Sequence, residues 1–297
     1  MLIDTHCHLH DREFFTEKQA EEMLARAREK GVEKIICIGT SPEDSMAARD
    51  FAASHDGVYW TYGVHPEAAS EAGVLTKPVF SSSGLEFLST SYAGAQAEPP
   101  LRGEPVWRGR NIRVKNSNHF YDSEKTDLVT PAPIAIGEVG LDYHYEGYNR
   151  KAQIQLFEEM LQLATDNDLP VSFHVREAFE DFFEVIANFP KIRGVVHSFS
   201  DNKKNLKKIL SETEFFIGVN GMATYSTLPT PPLERILLET DAPFLTPAPF
   251  RGIINESGYI YEIATWVSKK LDVSFEIVEQ ETTKNAEKLF RFDDTGV

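Results

Sequence analysis

The amino-acid sequence predicts an α/β fold, a single (β/α)8 barrel of TIM type that spans residues 1–297. Eight short apolar runs, each about the length of a buried strand, recur along the chain. Segments with apolar residues at helical spacing separate most of these runs, and such alternation favours a parallel sheet covered by helices. Histidines and acidic residues follow several of these runs, at the carboxyl ends of the predicted strands. In barrels of this type the active site lies at the carboxyl ends of the strands.

The strands follow from the apolar runs taken in order. The first begins at Met1, and the others cover residues 34–39, 58–64, 134–138, 171–174, 194–197, 215–218 and 236–240. Predicted helices cover residues 16–30, 153–166, 177–188, 202–212, 255–271 and 274–290, with another that ends near residue 54. In the first of them Ala20, Met23, Leu24 and Ala27 recur every three or four residues, so they form one face that can pack on the sheet.

One connection is longer than the barrel requires. Roughly 70 residues separate Pro66 from Ile134, whereas a barrel connection normally needs a few residues and one helix. Residues 78–130 are rich in Ser, Pro, Gly, Arg and Asn, and we expect them to form an irregular insertion within the barrel domain. An alternative interpretation is a lid or a loop that grips nucleic acid, with stacking and charge from Trp107, Arg108, Arg110, Arg113 and Lys115.

Another connection is too short for a normal helix. Residues 220–233, which follow the seventh predicted strand, include Pro229, Pro231 and Pro232. Proline interrupts a helix because it lacks the N–H group and its ring clashes with the preceding turn. We therefore expect the seventh barrel helix to be shortened or missing.

Composition limits the class of protein. No apolar run is long enough to cross a membrane, and the first residues lack the features of a signal peptide, so we expect a cytoplasmic protein. Two cysteines are too few for a disulfide framework. The formal charge of −16 argues against broad electrostatic binding of nucleic acid, although it does not exclude a phosphate substrate held through metal ions. The sequence indicates no obligate protein partner.

Metal-binding side chains stand at the carboxyl ends of five predicted strands. His6 and His8 are two residues apart, so both point to the same face of the first strand. Because the carboxyl ends of barrel strands converge on one mouth, six side chains are expected to meet there: His6, His8, Glu138, His174, His197 and Asp241. Four imidazoles and two carboxylates exceed what one tetrahedral ion needs, and a carboxylate can bridge two ions. The sequence therefore predicts a site for two divalent metal ions.

Two further residues are candidates for supporting roles. Arg176 lies two residues after His174, and its guanidinium suits a bidentate contact with phosphate; the alternative is a surface salt bridge with Glu177 or Glu180. Glu239 lies two residues before Asp241, where it can orient a ligand or a water molecule. The alternative for Glu239 is a buried ion pair with a lysine or arginine of the barrel.

Six motifs of the chain resemble those of the TatD-type metal-dependent deoxyribonucleases, a family within the amidohydrolase-like barrel superfamily. They occur in the family's order and begin with Ile-Asp-Thr-His-Cys-His-Leu at residue 3; the others are Gly-Val-His-Pro at residue 63, Ile-Gly-Glu-Val-Gly-Leu-Asp-Tyr at residue 136, Pro-Val-Ser-Phe-His-Val-Arg at residue 170, Gly-Val-Val-His-Ser-Phe-Ser at residue 194 and Leu-Glu-Thr-Asp-Ala-Pro at residue 238. Together they extend over most of the chain.

The resemblance implies a division of ligands between two ions. His6, His8, Glu138 and Asp241 would hold one ion, while Glu138 would bridge to a second ion held by His174 and His197. It also implies that Asp241 accepts a proton from the attacking water and that His65 contacts substrate rather than metal. The implied activity is hydrolysis of DNA, with Mg2+ as the expected ion and Zn2+ or Mn2+ as alternatives.

The expected substrate is single-stranded DNA ends, since a duplex does not reach metals at the bottom of a narrow mouth. The resemblance favours trimming from the 3' end, and internal cutting stays open. Two other functions stay open. The same barrel and ions can activate water against another ester or amide bond, such as that of aminoacylated RNA. The insertion and the shortened connection also allow a catalytically impaired metal-binding module that serves to bind a partner.

Overall fold

The computed structural model describes residues 1–70, 76–81, 84–89 and 131–292, and a parallel sheet stands at its centre. Within these residues the chain forms ten strands: β1 (Leu2–Cys7), β2 (Val32–Cys37), β3 (Val58–Tyr62), β4 (Thr76–Ser81), β5 (Gly84–Ser89), β6 (Ala135–Asp142), β7 (Val171–Arg176), β8 (Gly194–Val196), β9 (Phe216–Val219) and β10 (Ile236–Leu238). Eight of them form one sheet in the order β1-β2-β3-β6-β7-β8-β9-β10.

The two edges of this sheet meet. The Thr5 hydroxyl donates a hydrogen bond to the Leu238 carbonyl oxygen at 2.9 Å. Just beyond the end of β10, the Asp241 backbone N–H donates to the His6 carbonyl oxygen at 2.8 Å. The sheet therefore curls into a nearly closed barrel with helices on its outside, and the predicted (β/α)8 fold is confirmed.

Seven α-helices belong to the described residues: α1 (Glu17–Glu29), α2 (Pro42–Ala53), α3 (Arg150–Asp166), α4 (Phe179–Ile186), α5 (Lys203–Glu212), α6 (Ile260–Leu271) and α7 (Phe275–Phe290). Capping explains where several begin. Thr16 and Gln19 form a capping box at α1, and the Ser41 side chain accepts from a backbone N–H at the start of α2. The apolar face predicted for α1 is buried. None of these helices is both long and apolar enough to cross a membrane.

The segment after β3 differs in part from the prediction. Strands β4 and β5 pair as an antiparallel hairpin from Thr76↔Ser89 to Ser81↔Gly84, so the expectation of irregular structure from residue 78 is wrong at residues 78–81 and 84–89. Both strands contain residues that favour extended backbone, such as Val79 and Phe87, although the run of serines at 81–83 suggested irregular structure. Residues 90–130, with the aromatic and basic side chains considered for a lid, lie outside the described residues.

The connection after β9 agrees with its prediction. Residues 220–233 contain a 3-10 turn at Gly221–Thr224, and another begins at Leu233. No α-helix forms in these residues, all of which the structure describes, because the prolines at 229, 231 and 232 prevent three continuous turns. The expectation of a missing seventh helix is confirmed.

Helix α7 lies across the amino end of the barrel. Its Glu279 pairs with the Met1 ammonium at 3.0 Å, and its Asn285 donates to the carbonyl oxygens of Leu233 and Ile236. The interior at this end is apolar: one buried cluster joins Ile3, Ile36 and Ile38 to Phe290 and Phe292. The amino end is therefore closed, and the polar side chains of the interior gather at the carboxyl end.

Candidate metal centre

The structure brings all six predicted ligands together at the carboxyl end of the barrel. Glu138, in β6, stands among them and is 5% exposed. Its Oε2 atom lies 3.6 Å from His6 Nε2, and its Oε1 atom lies 2.6 Å from His174 Nδ1 and 3.8 Å from His197 Nε2. The two oxygens of one carboxylate thus face different histidines, which is the geometry that a bridging group requires.

The pair of histidines in β1 faces Asp241. Asp241 Oδ1 lies 3.6 Å from His6 Nε2 and 3.6 Å from His8 Nε2. The His8 Nδ1 atom lies 3.2 Å from the Ile38 carbonyl oxygen, which fixes the ring so that Nε2 points into the mouth. Ligand atoms of His6, His8 and Glu138 all lie within 4.8 Å of one another, so they can share one ion.

His174 connects Glu138 to a second acid. Its Nδ1 atom contacts Glu138, and its Nε2 atom lies 2.8 Å from Asp142 Oδ2. Asp142 is the last residue of β6 and is buried. The sequence motif contained Asp142, but we did not assign it to the site; residues 138, 140 and 142 share one strand face, so the alternation that paired His6 with His8 would also have found it.

Glu239 supports His197. Its Oε1 atom lies 3.1 Å from His197 Nδ1 and accepts a hydrogen bond from the Ser198 backbone N–H at 2.6 Å. Gly218 makes room for this carboxylate, because a Cβ atom there would lie 2.3 Å from Glu239 Oε2. Within the described part of the chain, the cationic partner of Glu239 is therefore a histidine and not the lysine or arginine considered as the alternative.

His65 and Arg176 lie beside this group. His65 Nε2 is 3.8 Å from Glu138 Oε1, and its ring centroid is 4.5 Å from that of His174. The Arg176 guanidinium stacks over the Tyr145 ring at 5.3 Å, and the Glu177 carboxylate instead contacts His144. The guanidinium of Arg176 is thus free of the salt bridges to Glu177 and Glu180 that we considered as the alternative.

Local backbone geometry places several of these side chains. A Cβ atom at Gly140 would lie 1.9 Å from the His174 carbonyl oxygen, so only glycine lets β6 and β7 approach closely enough for the Glu138–His174 contact. Asp241 adopts a φ of 58°, which is uncommon outside glycine, in the turn that directs it towards β1.

Electrostatics hold the acids in their charged form. Burial alone would raise the pKa of Glu138, but His197, His174 and His6 outweigh it and hold this pKa well below its ordinary value. Burial would likewise raise the pKa of Asp241, yet His8 and His197 lower it. Both carboxylates are therefore ionised at neutral pH and available as metal ligands.

The histidines of the site differ in the direction of their pKa shifts. Burial lowers the pKa of His65 to about 4 and also lowers the pKa of His6. For His174 and His197 burial acts in the same direction, but Asp142 and Glu138 raise the pKa of His174 to about 9, and Glu239 and Glu138 raise that of His197 to about 10. Without metal, the neighbouring carboxylates therefore keep the His174 and His197 rings protonated at neutral pH.

The residues fit a metal centre by their donor chemistry. Imidazole nitrogens and carboxylate oxygens are ligands for Zn2+ and Mn2+, and the carboxylates also suit Mg2+. Within the described part of the chain the buried His6 Nε2 atom has no hydrogen-bond partner, which is costly unless another group satisfies it. A cation between His6, His8 and the two carboxylates would satisfy this atom.

Comparisons with known proteins agree with this fold. The uncharacterized metal-dependent hydrolase YabD of Bacillus subtilis is 28% identical over 302 residues, which cover 99% of this chain and all of that protein. A protein of Pantoea ananatis named 3'-5' ssDNA/RNA exonuclease TatD is 29% identical over 97% of this chain and 99% of its own length. The crystal structure of YJJV, a TatD homologue from Escherichia coli, superimposes with a TM-score of 0.71 at 23% identity, with 98% of each chain covered.

A family model described as TatD related DNase matches residues 3–291, which is nearly the whole chain. This match includes every residue predicted for the metal site, from His6 to Asp241. The resemblance expected from the six motifs is confirmed, and the chain belongs to the TatD related DNase family.

Proposed function

We propose that this protein is a metal-dependent nuclease that hydrolyses phosphodiester bonds of single-stranded DNA, removing nucleotides from the 3' end. The observation that carries the proposal is the placement of Glu138 between two sets of ligands, with one carboxylate oxygen towards His6 and the other towards His174. Family membership and the exonuclease name of the Pantoea ananatis relative support the choice of nucleic acid as substrate.

In this proposal His6, His8, Asp241 and Glu138 hold one divalent ion. Glu138, His174 and His197 hold the second. His65 lies as near to Glu138 Oε1 as His197 does, at 3.8 Å, so it is a further candidate ligand of the second ion as well as the proposed substrate contact. Two bound cations supply Lewis acidity, which polarises a phosphodiester and lowers the pKa of an attacking water.

The side chains then divide the remaining work. Asp241 accepts the proton of the attacking water, because its lowered pKa keeps the carboxylate unprotonated. Glu239 and Asp142 orient the rings of His197 and His174, since Glu239 lies 3.1 Å from His197 Nδ1 and Asp142 lies 2.8 Å from His174 Nε2. Arg176, which stacks on Tyr145 at the mouth, is positioned to contact a phosphate oxygen of the substrate.

The test is release of nucleotides from single-stranded DNA labelled at its 5' end, with Mg2+, Mn2+ or Zn2+ added to metal-free protein. We expect a ladder of products shortened from the 3' end, loss of cleavage with chelator, and loss of cleavage in Asp241→Asn. Asp50→Asn is the matched control, because Asp50 is an exposed residue of α2 that pairs with Arg49.

A substrate with a blocked 3' end separates trimming from internal cutting. Products that persist with the block would replace the exonuclease assignment by an endonuclease. Folded, metal-loaded protein that leaves DNA intact but hydrolyses an aminoacyl ester would contradict the nuclease proposal in favour of the other hydrolase.

A further inference from the structure

Exposed apolar side chains concentrate around the mouth of the barrel. Among the residues that the structure describes, nine large hydrophobic side chains are exposed, and seven of them lie in segments that follow the carboxyl end of a barrel strand: Phe14, Tyr145, Tyr148, Tyr225, Phe244, Ile253 and Ile254. The other two lie on α6 and α7. Apolar surface gathered beside a candidate catalytic site, and rimmed by polar residues, is typical of a ligand-binding surface.

Two of these side chains form a pair next to the metal ligands. Phe14 follows β1 and Phe244 follows β10, and their rings meet edge to face with centroids 5.2 Å apart. The Phe244 ring also meets the His8 ring at 6.3 Å, and its backbone N–H donates to the Asp241 carbonyl oxygen at 2.8 Å. The pair is 44% and 46% exposed, so each ring keeps a face open to solvent.

We propose that Phe14 and Phe244 form a stacking site for the nucleobase adjacent to the scissile phosphate of a single-stranded substrate. This inference rests on the proposed nuclease function and names how the same mouth holds its substrate. The pair lies on the His8–Asp241 side of the cluster, because the Phe244 ring centroid is 6.3 Å from that of His8 and the Phe244 backbone N–H donates to Asp241. A phenyl ring accepts any base because every base has a π face, so the site predicts broad sequence tolerance.

The charge of the chain supports stacking as a main source of affinity. With a formal charge of −16 the protein lacks the positive balance that binds phosphates non-specifically. Aromatic stacking on a base does not require a positively charged surface, whereas cation–phosphate contacts do. Among the residues that the structure describes, the rim adds local cations, such as Arg251 over the Tyr225 ring at 3.7 Å and Arg176 over Tyr145. DNA binding should therefore depend weakly on salt.

The experiment measures fluorescence of a single-stranded oligonucleotide with 2-aminopurine as its 3'-terminal base. The full chain is titrated into this probe in chelator, so that no hydrolysis takes place. We expect quenching by the wild type, binding about tenfold weaker with Phe244→Ala or Phe14→Ala, and recovery with Phe244→Trp. Tyr261→Ala is the control, because Tyr261 is an equally exposed aromatic residue on α6, away from the mouth.

An abasic 3'-terminal residue supplies the matching change in the substrate. With metal present, removal of the base should lower cleavage efficiency of the wild type about tenfold but should not lower that of Phe244→Ala further, because the interaction is already lost. Additive losses would overturn the proposal. So would unchanged quenching in both alanine variants, or a concentration-dependent dimer that Phe244→Ala abolishes while DNA binding is retained.

The binding measurement separates this inference from the nuclease proposal. Quenching that depends on Phe14 and Phe244, together with no cleavage of any DNA under metal, would contradict the nuclease function and leave the stacking site standing. Cleavage that depends on Asp241 but not on Phe14, Phe244 or the terminal base would support the nuclease function and contradict the stacking site.

Discussion

The two ends of the barrel interior are built from the same strands but have opposite chemistry. At the amino end, Ile3 and Ile36 pack with Phe290 beneath α7 in a buried apolar cluster. At the carboxyl end, Glu138 is buried among histidines. Apolar packing stabilises the first region, whereas the second stays folded only because each buried charge has an opposite one nearby. The comparison indicates that the barrel gains stability at one end and carries its chemistry at the other.

Glu138→Gln should have the largest effect of these changes on activity. It tests whether activity depends on the carboxyl end of the barrel. The change removes the charge that both sets of ligands share, so we expect metal-dependent cleavage to fall at least about 1,000-fold. The measurement is kcat/KM on single-stranded DNA, with thermal unfolding to confirm that the variant folds. Activity within tenfold of the wild type would show that Glu138 is not a shared ligand.

Ile36→Ala tests the amino end. Ile36 is fully buried in the apolar cluster, so the cavity should lower the free energy of unfolding by about 2–5 kcal/mol. Urea unfolding measures this change, while kcat per folded molecule should stay at the wild-type value. A loss of activity in the folded protein would contradict the separation of the two ends.

The pH dependence of stability should arise at the carboxyl end. In metal-free protein, the pKa values of His174 and His197 are raised from 6.5 to about 9 and about 10, so their contribution is present below pH 6.5 and is lost as the pH rises through 9 to 10. Glu138 and Asp241 have lowered pKa values, so their contribution is present above the ordinary carboxyl range and is lost as the pH falls through their folded-state values.

We therefore expect metal-free protein to lose a few kcal/mol of stability as the pH rises from about 6.5 to between 9 and 10. Thermal unfolding in chelator across this range is the measurement. The decrement caused by Ile36→Ala should be similar at pH 6 and pH 9, because the buried side chains of that cluster are apolar. Added metal should reduce the loss of stability at alkaline pH, because metal ions bind the unprotonated histidine rings.

Asp142→Asn should have the smallest of these effects. The variant keeps the shape of the side chain but weakens its contact with His174 Nε2, so we expect metal affinity to fall about 10- to 100-fold. Calorimetric titration with Mn2+ measures this affinity, with Asp50→Asn as the control for loss of one acidic charge. An unchanged affinity would show that Asp142 does not orient His174.

Much of this molecule could be predicted from its sequence. Apolar runs located the eight barrel strands, and the prolines near residue 230 predicted the missing helix. The period of two in β1 placed His6 and His8 on one face, and the strand ends brought Glu138, His174, His197 and Asp241 to the same mouth. These properties depend on residues near one another in the chain, which is why local patterns determined them.

Contacts across the barrel were decided by the tertiary structure. Which oxygen of Glu138 faces His6, how Asp142 reaches His174, and why Phe14 meets Phe244 from the opposite end of the chain all depend on strand register and on the closure between β1 and β10. The position of α7 was also decided by the tertiary structure, because its apolar periodicity did not predict that it would cover the amino end of the barrel. Periodicity fixes the face on which a side chain lies, but only the three-dimensional packing fixes which side chain stands opposite.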